Sequence, residues 1–367
     1  MKRHAKQSAT QSVISCKFTL LTALFSVLMT FLLPLSLLTA GRITPVSLQP
    51  AAAVLPRPAS DVPDTRSAAP ASSAGTAETP EPGTRDSAIT LTVELNGKNR
   101  KMTMDQYLWG VVAAEMPAAF DLEALRAQAV AARTYTLYRM SHPSKHHPKA
   151  HICGDSGCCQ AWISRKDRLA EWGKKGREEY TEKINQAVSS TDGLALYYRD
   201  EPILSAFHAA SAGSTKSALE VWGEDYPYLQ EVSSPEDEGS VPNYYSTVTV
   251  SKKEFSQLFL HAYPKADLSA PDCADWFGKV TSDQAGLPVS MEIGGVTADT
   301  GEIRTMFGLR SASFTVECQG DKITFYVTGY GHGVGMSQYG ANALAKQGKT
   351  AEEILSWYYP GAELRQK

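Results

Sequence analysis

The chain has 367 residues, 43% of them hydrophobic and 20% charged, with a net charge of −3 at pH 7. A balance this close to neutral, with no basic stripe in the globular part, argues against nucleic acid as a partner. The apolar share is enough for a sizeable core, so the question is where along the chain that core lies.

Residues 1–17 carry Lys2, Arg3, Lys6 and Lys17, and residues 18–40 follow without a single charge. Twenty-three uncharged residues at about 1.5 Å each cross a hydrocarbon core of roughly 30 Å. The basic residues precede the run, so the positive-inside bias gives a cytoplasmic tail, 1–17, and a single-pass anchor, 18–40. A cleaved signal peptide is the competing reading, but the run is long and Leu38 suits a small-x-small cleavage site poorly. Either way the rest of the chain lies outside the cytoplasm. Residues 41–87 are rich in Pro, Ala, Ser and Thr and read as a disordered linker.

Folded material is expected over 88–367. "ITLTVELNG" alternates like a strand and closes on Asn96-Gly97, a hairpin-turn signal. "MDQYLWGVVAAEM" and "DLEALRAQAVAARTYTLYRM" have helical period, the second with Asp121 as N-cap. "REEYTEKINQAVSSTDG" predicts a helix ended by Gly193. "LALYY", "EPILSAFHAAS", "YYSTVTVS", "VSMEIGGV", "SFTVEC" and "KITFYVTG" read as strands. Two C-terminal helices are expected in "MSQYGANALAKQG" and "TAEEILSWYYPG", the second with a Thr350–Glu353 capping box. Helices at both ends with strands between them predict a mixed α+β domain with a cleft, not a βαβ alternation.

Leu108, Val111, Val112 and Glu115 stand at i, i+3, i+4 and i+7, so Glu115 projects from an apolar stripe just before Pro117 breaks the helix. A carboxyl there is poorly hydrated and holds its proton near neutral pH, as a general acid requires. The plainer alternative is a solvated glutamate in a frayed last turn. "HHPKAHICGDSGCCQAW", residues 146–162, holds three histidines and three cysteines. Outside the cytoplasm such a cluster is either bridged or metal-bound. Cys273 and Cys318 are isolated, and either pair or remain buried thiols; Cys16 borders the apolar run. In "GYGHGVGMSQ" a glycine at every second position lets backbone or substrate approach closely.

Three blocks together resemble the stage II sporulation protein D family: "VVAAEMPAAFDLEALRAQAVAARTYTLYRM", "FHAASAGSTKSALEVWGEDYPYLQEV" and "GYGHGVGMSQYGANALAKQGKTAEEILSWYYPGAEL". The resemblance implies a bitopic membrane protein whose extracytoplasmic domain is a peptidoglycan lytic transglycosylase with Glu115 as catalytic acid. It implies action on glycan strands in engulfment during endospore formation. The expected partners are a cell-wall amidase that strips stem peptides, stage II sporulation protein P-like, and a membrane scaffold. The H-x5-C-x5-C run ending in CQAW resembles the family's zinc block, which carries metal binding onto His147, Cys153 and Cys159. The fourth ligand is open among water, Asp155, His151 and Cys158, and a structural zinc is expected.

The resemblance also places His208, Ser211, His332, Ser337 and Gln338 along the glycan groove as substrate contacts. "FHAASAGST" departs from the family's FHSTSGG at Ala209, Ala210 and Ala212, so any sugar contact that hydroxyls at 209 or 210 make in relatives is lost here. Trp222, Tyr226 and Tyr228 either stack on sugars or fill core. Asp121, Glu123, Glu220, Glu224 and Asp225 are unassigned acids near the motifs. The same kind of domain occurs in amidase enhancers, which makes a non-catalytic wall-binding stimulator the alternative function.

Overall fold

The computed structural model describes residues 85–174 and 176–366. The expected tail and anchor, 1–40, and nearly all of the linker lie outside the described residues. Among those described, no helix is long and apolar enough to cross a membrane.

Leu122–Ser141 is the axis of the larger core. Asp121 caps it by accepting from the Glu123 N–H at 3.0 Å. Five of its eleven buried residues are alanine (124, 127, 129, 131, 132), which lets neighbours approach closely. Helices Met104–Glu115 and Arg177–Ser189 pack on it, and so do the C-terminal helices Gln338–Lys346 and Ala351–Tyr358. The expected helical ends of the domain are therefore one bundle, closed across more than two hundred residues of chain. Thr350 and Glu353 form the expected capping box.

Around this bundle lie short sheets. Thr90–Leu95 and Lys98–Thr103 form the expected hairpin, with Asn96 at φ 53° and Gly97 at φ 72°. Ile152–Cys153 adds to its edge in parallel, Val93 opposite Ile152, which brings the cysteine loop against the bundle. The folded part extends to Arg85: Asp86, 1% exposed, accepts from Arg133 Nε at 2.9 Å deep in the core.

A second core is built by Tyr245–Ser251, Phe314–Gln319 and Lys322–Thr328 in one sheet. Phe277–Ser282, Pro288–Ile293 and Val296–Asp299 form another. Helices Lys252–Ala262 and Thr300–Phe307 close it, with Phe255 stacked on Phe307 at 5.0 Å. These two helices are absent from the sequence expectation. Both are short and capped, by Ser251 and Asp299, and draw on phenylalanine packing from other elements.

Two expected strands are shorter or divided. "VSMEIGGV" turns at Gly294-Gly295 into a hairpin. "EPILSAFHAAS" is strand only at Glu201–Pro202 and Phe207–His208. Between these pieces Ser205 donates to the Ala131 carbonyl at 2.8 Å, so the segment bonds to the central helix in place of a strand neighbour. Cys273 and Cys318 are free thiols in the second core, side by side, and burial pushes Cys318 up to about 12.

Candidate functional site

Glu115 is the last residue of Met104–Glu115, whose Leu108, Val111 and Val112 are fully buried. The helix is buried on nearly every side, not amphipathic, so its final residue emerges half-buried from packed protein. Burial raises the Glu115 pKa, opposed by hydrogen bonds from Ala161 and Gln338. The Ala161 N–H donates to Oε1 at 2.5 Å, and Gln338 Nε2 lies 3.5 Å from Oε2. Glu115 sits where two cavities meet, one of about 870 Å³ and one of about 430 Å³, which share Ala114, Glu115, Ala209, Tyr330 and Gln338. A carboxyl of raised pKa thus faces a groove open on both sides.

The segment that reaches Glu115 is the end of the cysteine loop. Gln160, 1% exposed, donates to Tyr107 Oη and Thr136 Oγ1, each at 3.2 Å, and fixes the loop on two helices. Trp162 lies flat against Gly110, where any Cβ would come within 2.2 Å of the indole nitrogen. In Cys-Gln-Ala-Trp, then, the glutamine and tryptophan anchor the backbone and the alanine N–H meets the acid.

The metal-ligand expectation is answered by geometry. His147 Nε2 and the thiols of Cys153, Cys158 and Cys159 all lie within 4.8 Å of one another. His147 Nε2 is 3.2 Å from Cys159 Sγ, and Cys158 and Cys159 Sγ are 4.0 Å apart. A tetrahedron with zinc–sulfur bonds of about 2.3 Å has edges of about 3.8 Å, so the donor set fits. His147 Nδ1 is 3.2 Å from the Ala150 carbonyl, which fixes the ring with Nε2 toward the thiols. Of the candidates for a fourth donor, the fold brings Cys158 into the cluster. His151 Nδ1 accepts from the Thr92 N–H at 3.1 Å, and Asp155 caps the loop by accepting from Gly157 N at 2.8 Å.

The remaining candidates divide. His208, His332 and Gln338 line the larger cavity with Trp222 and Tyr226. His208 Nε2 is 2.7 Å from Ser211 Oγ, and its Nδ1 3.2 Å from the Val334 carbonyl. Burial lowers His208 to about 3 and His332 to about 4, so both are neutral imidazoles. Ser211 and Ser337 are buried and bond to Glu236, a buried carboxylate that also takes Ser234. Glu236 was not singled out in the sequence; nothing in "SSPEDEG" separates it from the acids beside it. Tyr228 is core, whereas Trp222 is 40% exposed.

The glycine run serves backbone packing. At Gly335, φ 70°, a Cβ would come within 2.0 Å of the Ala206 carbonyl, and at Gly331 within 2.7 Å of His208. The close neighbour is therefore the 206–211 segment. Of the five unassigned acids only Glu224 lines the larger cavity. Asp121 and Glu220 cap helices, and Glu123 accepts from the Ala351 N–H.

A half-buried acid, a thiol–imidazole cluster and a groove thus meet in one domain, and the comparisons give its family. Residues 96–198 match the family model described as "Stage II sporulation protein". The chain is 40% identical over 271 residues to stage II sporulation protein D of Bacillus subtilis (strain 168), covering 73% of this chain and 76% of that one. It is 37% identical over 288 residues to stage II sporulation protein D of Bacillus amyloliquefaciens, 77% and 81% of the two chains. It is also 29% identical over 307 residues to the amidase enhancer of Bacillus subtilis (strain 168), covering 70% of this chain and 40% of that one. The chain belongs to the stage II sporulation protein D family.

Proposed function

We propose that the chain is a peptidoglycan lytic transglycosylase that cleaves the muramic acid–glucosamine bond of glycan strands during engulfment in endospore formation. The observation that carries this reading is Glu115: a half-buried carboxyl with raised pKa, held at Oε1 by the Ala161 N–H, at the junction of two cavities. Its proton passes to the glycosidic oxygen as the bond to C1 of muramic acid breaks. The carboxylate then takes the proton of the C6 hydroxyl while O6 bonds to C1, closing a 1,6-anhydro ring. The nucleophile belongs to the substrate, so one carboxyl suffices where ordinary glycosidases need two.

His147, Cys153, Cys158 and Cys159 would hold zinc, and four protein donors leave no position for a metal-bound water. When bound, the metal supplies a cross-link for the loop that carries Ala161. The basic 1–17 and apolar 18–40 segments support a membrane anchor with the domain outside. A stem-peptide-stripping amidase and a membrane scaffold are the proposed partners.

The similarity to an amidase enhancer supports a second reading, a non-catalytic wall binder that stimulates an amidase. Mass spectrometry of peptide-free glycan incubated with the purified chain and with Glu115→Gln separates the two. Anhydro-muramic ends from the unaltered chain alone support the lytic reaction. Reducing ends mean hydrolysis, and no product from either favours the enhancer.

A further inference from the structure

Glu236 is 5% exposed and, among the described residues, no cation pairs with it. Hydrogen bonds stand in the cation's place. Oε1 accepts from the Ser211 N–H at 2.6 Å and from Ser337 Oγ at 2.5 Å, and Oε2 accepts from Ser234 Oγ at 2.5 Å. Ser234 Oγ lies 2.7 Å from the hydroxyl of Tyr358, a fully buried ring. The helix Gln338–Lys346 begins directly on this carboxylate. Ser337 caps it by accepting from the Gly340 N–H at 3.2 Å, and a Cβ at Gly340 would come within 2.6 Å of Glu236 Oε2. A buried carboxylate without a cation is costly, so its retention calls for a reason beyond stability.

The two segments that meet on Oε1 are two that flank the acid. Ala209 lies just before Ser211 and Gln338 just after Ser337, and both Ala209 and Gln338 line both cavities beside Glu115. The Tyr339 N–H donates to the Ala209 carbonyl at 3.0 Å, so the segments already touch, and Glu236 ties them together from behind. Gln338 Nε2, 3.5 Å from Glu115 Oε2, also lies 3.4 Å from Oε1 of Gln128, which is fully buried on the central helix. We propose that Glu236 is a positioning residue for the cleavage: it sets the spacing of the 206–211 segment and the start of Gln338–Lys346, and through them the contact of Gln338 with Glu115. The inference rests on the lytic-transglycosylase reading, in which Glu115 acts on glycan. Glu236 itself lines neither cavity and acts through geometry. Misplacing a reacting group by about 1 Å costs on the order of a hundredfold in rate.

The test is the pH–rate profile of the full chain and its variants on peptide-free glycan, well below their melting temperatures. Glu236→Gln removes the charge and keeps the reach: its oxygen accepts from Ser211 and Ser337, and its amide N–H donates to Ser234. Glu236→Asp keeps the charge and is one methylene too short to hold both segments. The expected result is that Glu236→Gln keeps kcat/KM within about threefold and the parent's pH profile. Glu236→Asp lowers kcat by about ten- to a hundredfold with KM changed by less than about threefold. It also moves the alkaline limb to higher pH, because the Gln338 donor is lost to the ionised Glu115. The charged groups of the two cavities, Glu224, Arg304, Arg168 and Arg310, and the neutral His208 and His332, are unaltered in these variants, so the limb reports Gln338. Loss of folded protein alone scales the rate and leaves the limb in place. Ser337→Ala, which removes one of the two donors on Oε1, moves the limb the same way by less and decides the matter if Glu236→Asp does not fold. A parent-like rate and limb in the folded variants overturns the assignment, as does a rate loss with the limb unmoved. Equal collapse of Glu236→Gln and Glu236→Asp makes charge the cause and also overturns it, with the glycan-cleaving site intact. No cleavage by the parent chain overturns both this assignment and the reading beneath it.

Discussion

The backbone N–H of Ala161 donates to Glu115 Oε1 at 2.5 Å, two residues beyond the thiol of Cys159. One loop therefore supplies both the clustered thiol donors and a backbone contact on the acid. The contact leaves the carboxyl oriented, and the surrounding protein leaves it poorly hydrated.

The first consequence concerns pH. Burial raises the Glu115 pKa above the usual glutamate value of about 4.3. The acid works protonated, so kcat/KM on glycan falls as pH rises through the raised value, with the alkaline limb above pH 4.3. Stability runs in the same direction. A carboxyl with a raised folded pKa costs nothing below its unfolded pKa, where both states are protonated, and destabilises as pH rises through the folded value. Glu115→Gln should thus raise the melting temperature at pH 7 and not at pH 3.5. A pH–rate profile with thermal melts at both pH values checks this, and an unchanged melt at pH 7 counts against a desolvated acid.

Metal removal should act on the same carboxyl from the other end. Stripping with a chelator, or Cys158→Ser, frees the loop and loosens the Ala161 contact, so glycan cleavage and melting temperature fall together. His151→Ala should leave metal content unchanged, because that ring is spent on Thr92. Metal analysis by mass spectrometry beside thermal melts decides it. Activity lost with the melt unmoved would point to a catalytic metal instead.

The buried pair Asp86–Arg133 makes a third expectation. Both side chains are 1% exposed, and among the described residues no other cation pairs with Asp86. Asp86→Ala leaves a guanidinium buried with only Thr191 Oγ1 and the Leu194 carbonyl as acceptors, a loss of about 3–5 kcal/mol. Chain trimmed to begin at residue 88 should be destabilised by a similar amount relative to chain beginning before Arg85. Urea unfolding of the two forms measures the difference.

Much of this was readable in the residues because it is local. The Asn96-Gly97 turn, the Asp121 cap and the Thr350–Glu353 box depend on near neighbours, whereas the helix before Glu115 is buried all round and not along one stripe. The metal spacing was likewise local, but the fourth ligand was not, because Cys158, His151 and Asp155 differ only in what the fold gives them to bind. Glu236 escaped for the same reason: its worth comes from Ser211 and Ser337, which reach it from 25 and 101 residues away. The period-two glycines announced a close approach, yet only the fold shows that the 206–211 backbone is what approaches.

Whether one carboxyl carries the reaction is decided at Glu224. It is the second acid of the larger cavity, exposed, with Oε2 accepting from Tyr226 Oη. A hydrolase needs a second carboxylate to activate water, and Glu224→Gln would then cost as much as loss of the acid, about 10²- to 10⁴-fold. If O6 of the muramic acid is the nucleophile, Glu224→Gln lowers the rate by less than about tenfold and the products keep their anhydro ends, whereas Glu115→Gln loses the reaction. Product mass spectra and initial rates on one glycan preparation give both readouts. A collapse of rate in Glu224→Gln, or a switch to reducing ends, would make Glu224 a working partner of Glu115 and the mechanism a two-carboxylate one.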